Sequence, residues 1–109
     1  MIAKTPSPPY YAVIFSSVRT AGDNGYSEMA DKMVELASTQ DGFLGIESAR
    51  NELGITVSYW TDLNAIKNWK ENIEHTIARE KGRSDWYKSF KTRIAKVEKE
   101  YGFLRDEVG

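Results

Sequence analysis

The chain has 109 residues, 40% hydrophobic and 28% charged, with a formal net charge of −1, which predicts one ordered domain with a single modest core. It holds no cysteine and one histidine, and this excludes disulfides, thiolate metal sites, cysteine nucleophiles and His-rich metal centres within one chain. So small a charge supplies no field to attract nucleic acid or an anionic membrane, and no apolar run approaches the ~20 residues of a membrane-spanning helix.

Residues 1–9 hold all three prolines and predict an extended, polyproline-like arm, either frayed or laid on a partner subunit. They have no apolar run and no cleavage pattern, so a signal peptide is not expected and a cytoplasmic location is. The folded domain is expected over 10–104, with 105–109 as a tail.

Tyr10 to Arg19 reads as a first strand, with Tyr11, Val13 and Phe15 on one face and Ala12, Ile14 and Val18 on the other. Both faces are apolar, so both need cover. Gly22, Asp23, Asn24 and Gly25 mark a loop. Tyr26, Met29, Ala30, Met33, Val34 and Ala37 then recur at steps of three and four, predicting an amphipathic helix over 26–38. Gly42 suits the left-handed turn that ends it.

Phe43 to Arg50 reads as a second strand, with Phe43 and Gly45 sharing a face. Gly54 is expected at positive φ in a short hairpin turn. The third strand, Ile55 to Trp60, sets Ile55, Val57 and Tyr59 opposite Thr56, Ser58 and Trp60. Asp62 is a good helix start, and Leu63, Ile66, Trp69 and Ile73 follow at helical spacing. Asn72 is expected to cap a second short helix with Glu74 and His75 in its first turn, and Ser84 to cap a third over Asp85–Phe90. Thr92 to Tyr101 is expected as the last strand, with Ala95 and Val97 inward.

The order β-α-β-β-α-β is that of a ferredoxin-like α+β domain, with helices on one face of a four-stranded antiparallel sheet. No segment is left to cover the second apolar face. A homodimer packing sheet to sheet is therefore expected.

Several words of the sequence resemble the antibiotic biosynthesis monooxygenase family: Gln40-Asp41-Gly42-Phe43-Leu44-Gly45, Val57-Ser58-Tyr59-Trp60, Ala65-Ile66-Lys67-Asn68-Trp69-Lys70, Glu74-His75, and Gly82-Arg83-Ser84-Asp85-Trp86-Tyr87-Lys88-Ser89-Phe90. The resemblance spans about residues 10–103 and implies a dimeric α+β barrel with a pocket between sheet and helices. Some members of the family oxidise aromatic phenols with oxygen and neither metal nor flavin; others bind and open haem. The haem-degrading pattern requires an asparagine on the first strand, a tryptophan on the second long helix and a histidine further along it. Trp69 matches, but the histidine position falls on Arg79 and the asparagine position near Ser16 or Ser17. A protonated guanidinium is no ordinary iron ligand.

The candidate chemistry is accordingly cofactor-independent oxygenation of an aromatic or polyketide-like small molecule. Trp69 stacks on substrate, His75 serves as general base, and Asn72 holds the substrate oxygen. Trp60, Trp86 and Arg79 are candidate substrate contacts, and Arg83 and Arg19 offer charge to an acidic ligand. The plain alternatives are that the tryptophans are core, His75 lies at the surface, and the arginines belong to a solvated face. Lys67, Trp69, Lys70 and Trp86 superficially imitate a nucleic-acid surface, but interspersed acids argue against one. No phosphate-binding glycine loop points to a nucleotide cofactor. A non-catalytic ligand-binding or stress-associated dimer is the second reading; haem binding is the third.

Overall fold

The computed structural model describes residues 1–79 and 86–105, with the backbone alone for 75–79. Its elements are β1 (Tyr10–Arg19), α1 (Tyr26–Ser38), β2 (Phe43–Arg50), β3 (Gly54–Trp60), α2 (Leu63–Arg79) and β4 (Tyr87–Val97). The four strands form one antiparallel sheet in the order β2-β3-β1-β4. This is a ferredoxin-like α+β fold.

Both helices pack on one face of the sheet. Ala37 of α1 and Ala65, Ile66 and Trp69 of α2 are buried with Trp60, and Tyr11, Val13, Met33, Leu36, Phe43 and Ile73 pack around them. Small alanines at the helix contacts let the bulky indoles fill the layer between helices and sheet.

Local chemistry sets the turns. Asp62 Oδ1 accepts a hydrogen bond from the Ala65 amide at 2.8 Å, a side-chain N-cap for α2. Gly42 sits at φ 86°, and a Cβ there would approach both Ala65 Cβ and Thr61 Oγ1 to 2.6 Å. Only glycine satisfies both the left-handed backbone and the close approach of α2.

Five expectations are corrected. First, α2 runs unbroken from Leu63 to Arg79, so Asn72 lies within the helix and not at its start, and His75 is not in a first helical turn. Its apolar spacing continues through Ile73, and the packing of Ile66, Trp69 and Ile73 on one core holds the helix together. Second, Tyr87 to Phe90 belong to β4, not to a short helix; Ser84 and Asp85 lie outside the described residues. Phe90 pairs with Ser17, and Tyr87 and Phe90 both reach the Phe15 ring, a long-range pairing that local spacing does not reveal. Third, β4 stops at Val97, opposite Tyr10, because β1 offers no partner beyond it. Ala95 faces away from the helices and is exposed. Fourth, a bulge at Leu44 shifts the register of β2, so Phe43 and Ile46 share the helix side while Gly45 takes the other. Fifth, Gly54 is a strand residue without positive φ, and its missing side chain leaves room for Arg50.

The face away from the helices carries Ala12, Ile14, Val57, Tyr59 and Ile55, the last 41% exposed. The arm folds back onto its own sheet there. Ala3 lies over Gly45, and its amide donates to Glu47 Oε2 at 2.8 Å. Thr5 Oγ1 donates to Glu100 Oε2 at 2.8 Å. Past β4, Tyr101, Phe103 and Leu104 are almost fully exposed. Among the described residues no helix is long and apolar enough to cross a membrane.

Candidate functional site

The layer between helices and sheet holds two aromatic groups, at opposite ends of β1. At one end Trp60 and Trp69 lie nearly parallel, centroids 6.0 Å apart and planes 26° apart. Phe43 meets Trp60 edge-on at 5.4 Å. Trp60 is wholly buried, and its indole Nε1 donates to Ser58 Oγ at 2.9 Å. That bond satisfies the one polar atom such a burial would otherwise strand. Trp69 is 7% exposed. Asn72 follows on the same helix, half-buried beside the core residue Ile73. His75 and Arg79 occupy the last turns of α2; their side chains lie outside the described residues.

At the other end sits Trp86, 4% exposed, apart from the Trp60–Trp69 pair. Its Nε1 donates to the Asn24 carbonyl at 3.0 Å, and its ring meets Tyr26 edge-on. The Trp86 carbonyl accepts from Arg19 Nε at 3.0 Å. The Arg19 guanidinium lies over the Tyr26 ring, 3.5 Å from its centroid, and that of Arg50 lies 5.9 Å from the same centroid. Arg50 reaches across Gly54 to donate to the oxygens of Ser17, a residue only 2% exposed. The Tyr87 ring completes the group, 5.8 Å from Tyr26 and at right angles to it. Burial, reinforced by a hydrogen bond to Tyr26, pushes the Tyr87 phenol well above its ordinary range.

Arg50, Ser17, Tyr26 and Tyr87 were not legible as functional residues. The parity that turns Arg50 toward the helices depends on the Leu44 bulge, and Tyr87 joins Arg19 only through a second bulge at Lys88, which has no partner in β1. Of the two serines matching the asparagine of the haem-degrading pattern, Ser17 is the one on the helix side.

A third polar group lies on the opposite face. Tyr59 donates to Glu47 Oε1 at 2.6 Å, and the Tyr10 hydroxyl donates to Glu100. Tyr10 and Tyr59 meet edge-on at 5.9 Å. Burial, with the Glu47 hydrogen bond adding to it, pushes the Tyr59 phenol up to about 12. The same bond, joined by the Ala3 amide, holds the Glu47 carboxyl below its usual range.

An open cleft of about 170 Å³ lies at the start of α2, lined by Asp41, Gly42, Thr61, Asp62, Asn64, Ala65 and Asn68. Its lining is polar and offers no aromatic surface. Among the described residues no three His, Asp or Glu side chains converge as a metal site would require.

The match to a family model labelled antibiotic biosynthesis monooxygenase covers residues 9–81, from the start of β1 past the end of α2. The chain belongs to that family. It is 55% identical over 101 residues to the uncharacterized protein YqjZ of Bacillus subtilis strain 168, spanning 91% of this chain and 89% of that protein. Two crystal structures share the fold. PA3566 from Pseudomonas aeruginosa is 16% identical, with a TM-score of 0.64 over 88% of this chain and 99% of that one. SnoaB, a cofactor-independent oxygenase from Streptomyces nogalater, is 10% identical, with a TM-score of 0.63 over 90% of this chain and all of that one.

Proposed function

We propose that the protein is a cofactor-independent monooxygenase acting on an aromatic or polyketide-like small molecule, and that it works as a homodimer. Family membership carries the reading, and the aromatic layer between helices and sheet supports it. In this mechanism Trp69 stacks on the substrate ring, and Asn72 holds its oxygen by a hydrogen bond. His75 removes a proton to leave an electron-rich carbanion or phenolate. The anion passes electrons to molecular oxygen; one oxygen atom enters the ring carbon as a carbonyl, and the other leaves as water. The substrate supplies all four electrons, so no external reductant is needed. Trp60 contributes the floor under Trp69, and Arg79 is a further substrate contact; Trp86, at the opposite end of β1, is a contact for a substrate long enough to extend along the layer.

The dimer follows from the sheet. Ile55 and Val18 on the helix-free face are 41% and 36% exposed in one subunit, and Phe103 and Leu104 extend beyond it at 87% and 91%. Packing this surface on a second copy removes it from water.

The burial of Trp60 and Trp69 favours one other reading, a ligand-binding dimer that keeps the fold without the reaction. Oxygen uptake with an anthrone as substrate separates the two. Uptake by the wild type that falls at least tenfold in Trp69→Phe, His75→Ala supports the oxygenase. Equal turnover by both rejects this site, and no uptake by either leaves the binding protein.

A further inference from the structure

We infer that Arg50 and Arg19 form, with Tyr26, Tyr87 and Ser17, a binding site for the carboxylate of an aromatic acid. This deepens the small-molecule reading above by naming an acidic substrate class, and it is measured apart from turnover.

Two like charges converge on one ring. The Arg19 and Arg50 guanidinium carbons stand 3.5 and 5.9 Å from the Tyr26 centroid, so their separation is at most the sum of those distances. The negative face of the ring offsets part of their repulsion; an anion between them offsets more. Among the described residues their hydrogen bonds go to neutral oxygens: Arg50 to the Ser17 hydroxyl and carbonyl, Arg19 to the carbonyls of Trp86, Gly22 and Asp23. The nearby Asp23 carboxylate is engaged chiefly by the Ser27 hydroxyl and amide, with a smaller attraction to the Arg19 charge.

The site is held in place from the sheet outward. Ser17 is buried at 2% exposure and anchors the Arg50 fork. Gly54, between Arg50 and Ser17 in the ladder, has no side chain, and a Cβ there would collide with the guanidinium. A fork anchored in this way presents its remaining donors in a plane, the geometry that matches a carboxylate. The neighbouring surface is aromatic. Phe90 is 40% exposed, with Phe15 and Tyr87 at 5.4 and 5.8 Å. An acid attached to an aromatic ring meets both halves of the site.

The test compares 2-naphthoate with its neutral isostere 2-naphthamide by calorimetric titration. The wild type is expected to bind naphthoate at least tenfold more tightly. Arg50→Gln and Arg19→Gln should each remove most of that preference. Gly54→Ala, which keeps both charges but displaces the fork, should do the same, with Arg50→Lys intermediate; thermal melts confirm that each variant is folded. Equal binding of the two ligands, no binding of either, or a preference that survives Arg50→Gln overturns the site. Naphthoate binding without oxygen uptake on any aromatic substrate upholds the site and removes the oxygenase. Oxygen uptake by an enzyme that binds both ligands equally does the reverse.

Discussion

Trp60 and Glu47 show what individual side chains contribute on the two faces of the sheet. Trp60 has no exposed surface and spends its only donor on Ser58. Trp60→Ala is expected to cost about 3–5 kcal/mol, read from chemical denaturation. Trp60→Phe keeps much of the contact with Trp69 but leaves Ser58 without its donor, and should cost about half as much. Glu47 and Tyr59 govern the response to pH. The Glu47 carboxyl is held low in the folded protein, so the stability it contributes is present above the ordinary carboxylate range and is lost as pH falls through its folded value. Melting temperature should therefore drop more steeply in the wild type than in Glu47→Gln between about pH 5 and pH 3. Tyr59 runs the other way. Its folded phenol ionises near 12 instead of 10.0, so its contribution holds below the ordinary value and disappears as pH rises through the higher one. Ultraviolet titration should show one late-ionising phenol fewer in Tyr59→Phe.

Each element depends on its ends as much as on its interior. Asp62→Ala removes the N-cap of α2 and should cost about 1 kcal/mol in thermal melts. Gly42→Ala is expected to cost more, because a strained φ is compounded by contact with Ala65 and Thr61. The sequence was most informative where one local rule governs. The spacing Tyr26, Met29, Met33, Ala37 marks α1 with the bounds the structure shows, and alternation marks β1 equally well. It misled where a distant partner decides. Asn72 resembles a cap until Ile73 is seen packed on the same core as Trp69. Tyr87 to Phe90 resemble a helical turn until their rings are found against Phe15. Trp69 was legible because it falls on the apolar stripe of α2; its stacking on Trp60 was not, because Trp60 shares its face of β3 with Thr56 and Ser58. The Arg50 group was not, because a bulge reverses the parity on which such counting relies.

For the molecule as a whole, the sheet sets the expected assembly. Sedimentation should find a stable dimer at micromolar concentration, and an Ile55→Lys change on the helix-free face should shift it toward single subunits. The arm shares that face, where Ala3 covers Gly45 and holds Glu47. Removing residues 1–8 should therefore lower thermal stability and raise the Glu47 carboxyl toward its ordinary range, measured by carbon-detected side-chain titration.

The unpaired Lys88 has a bearing on how this chain tolerates length changes. Strands alternate their side chains strictly, so deleting Lys88 would restore an uninterrupted ladder beside β1. The hydrogen-bonded frame would close as neatly as before, and Tyr87, now directly beside Ser89 and still opposite Arg19, would keep its place on the helix side against Tyr26. A one-residue gap at Lys88 would thus spare both the scaffold and that corner of the interior, whereas the same gap at Thr92 would carry Phe90 across the sheet and away from Phe15.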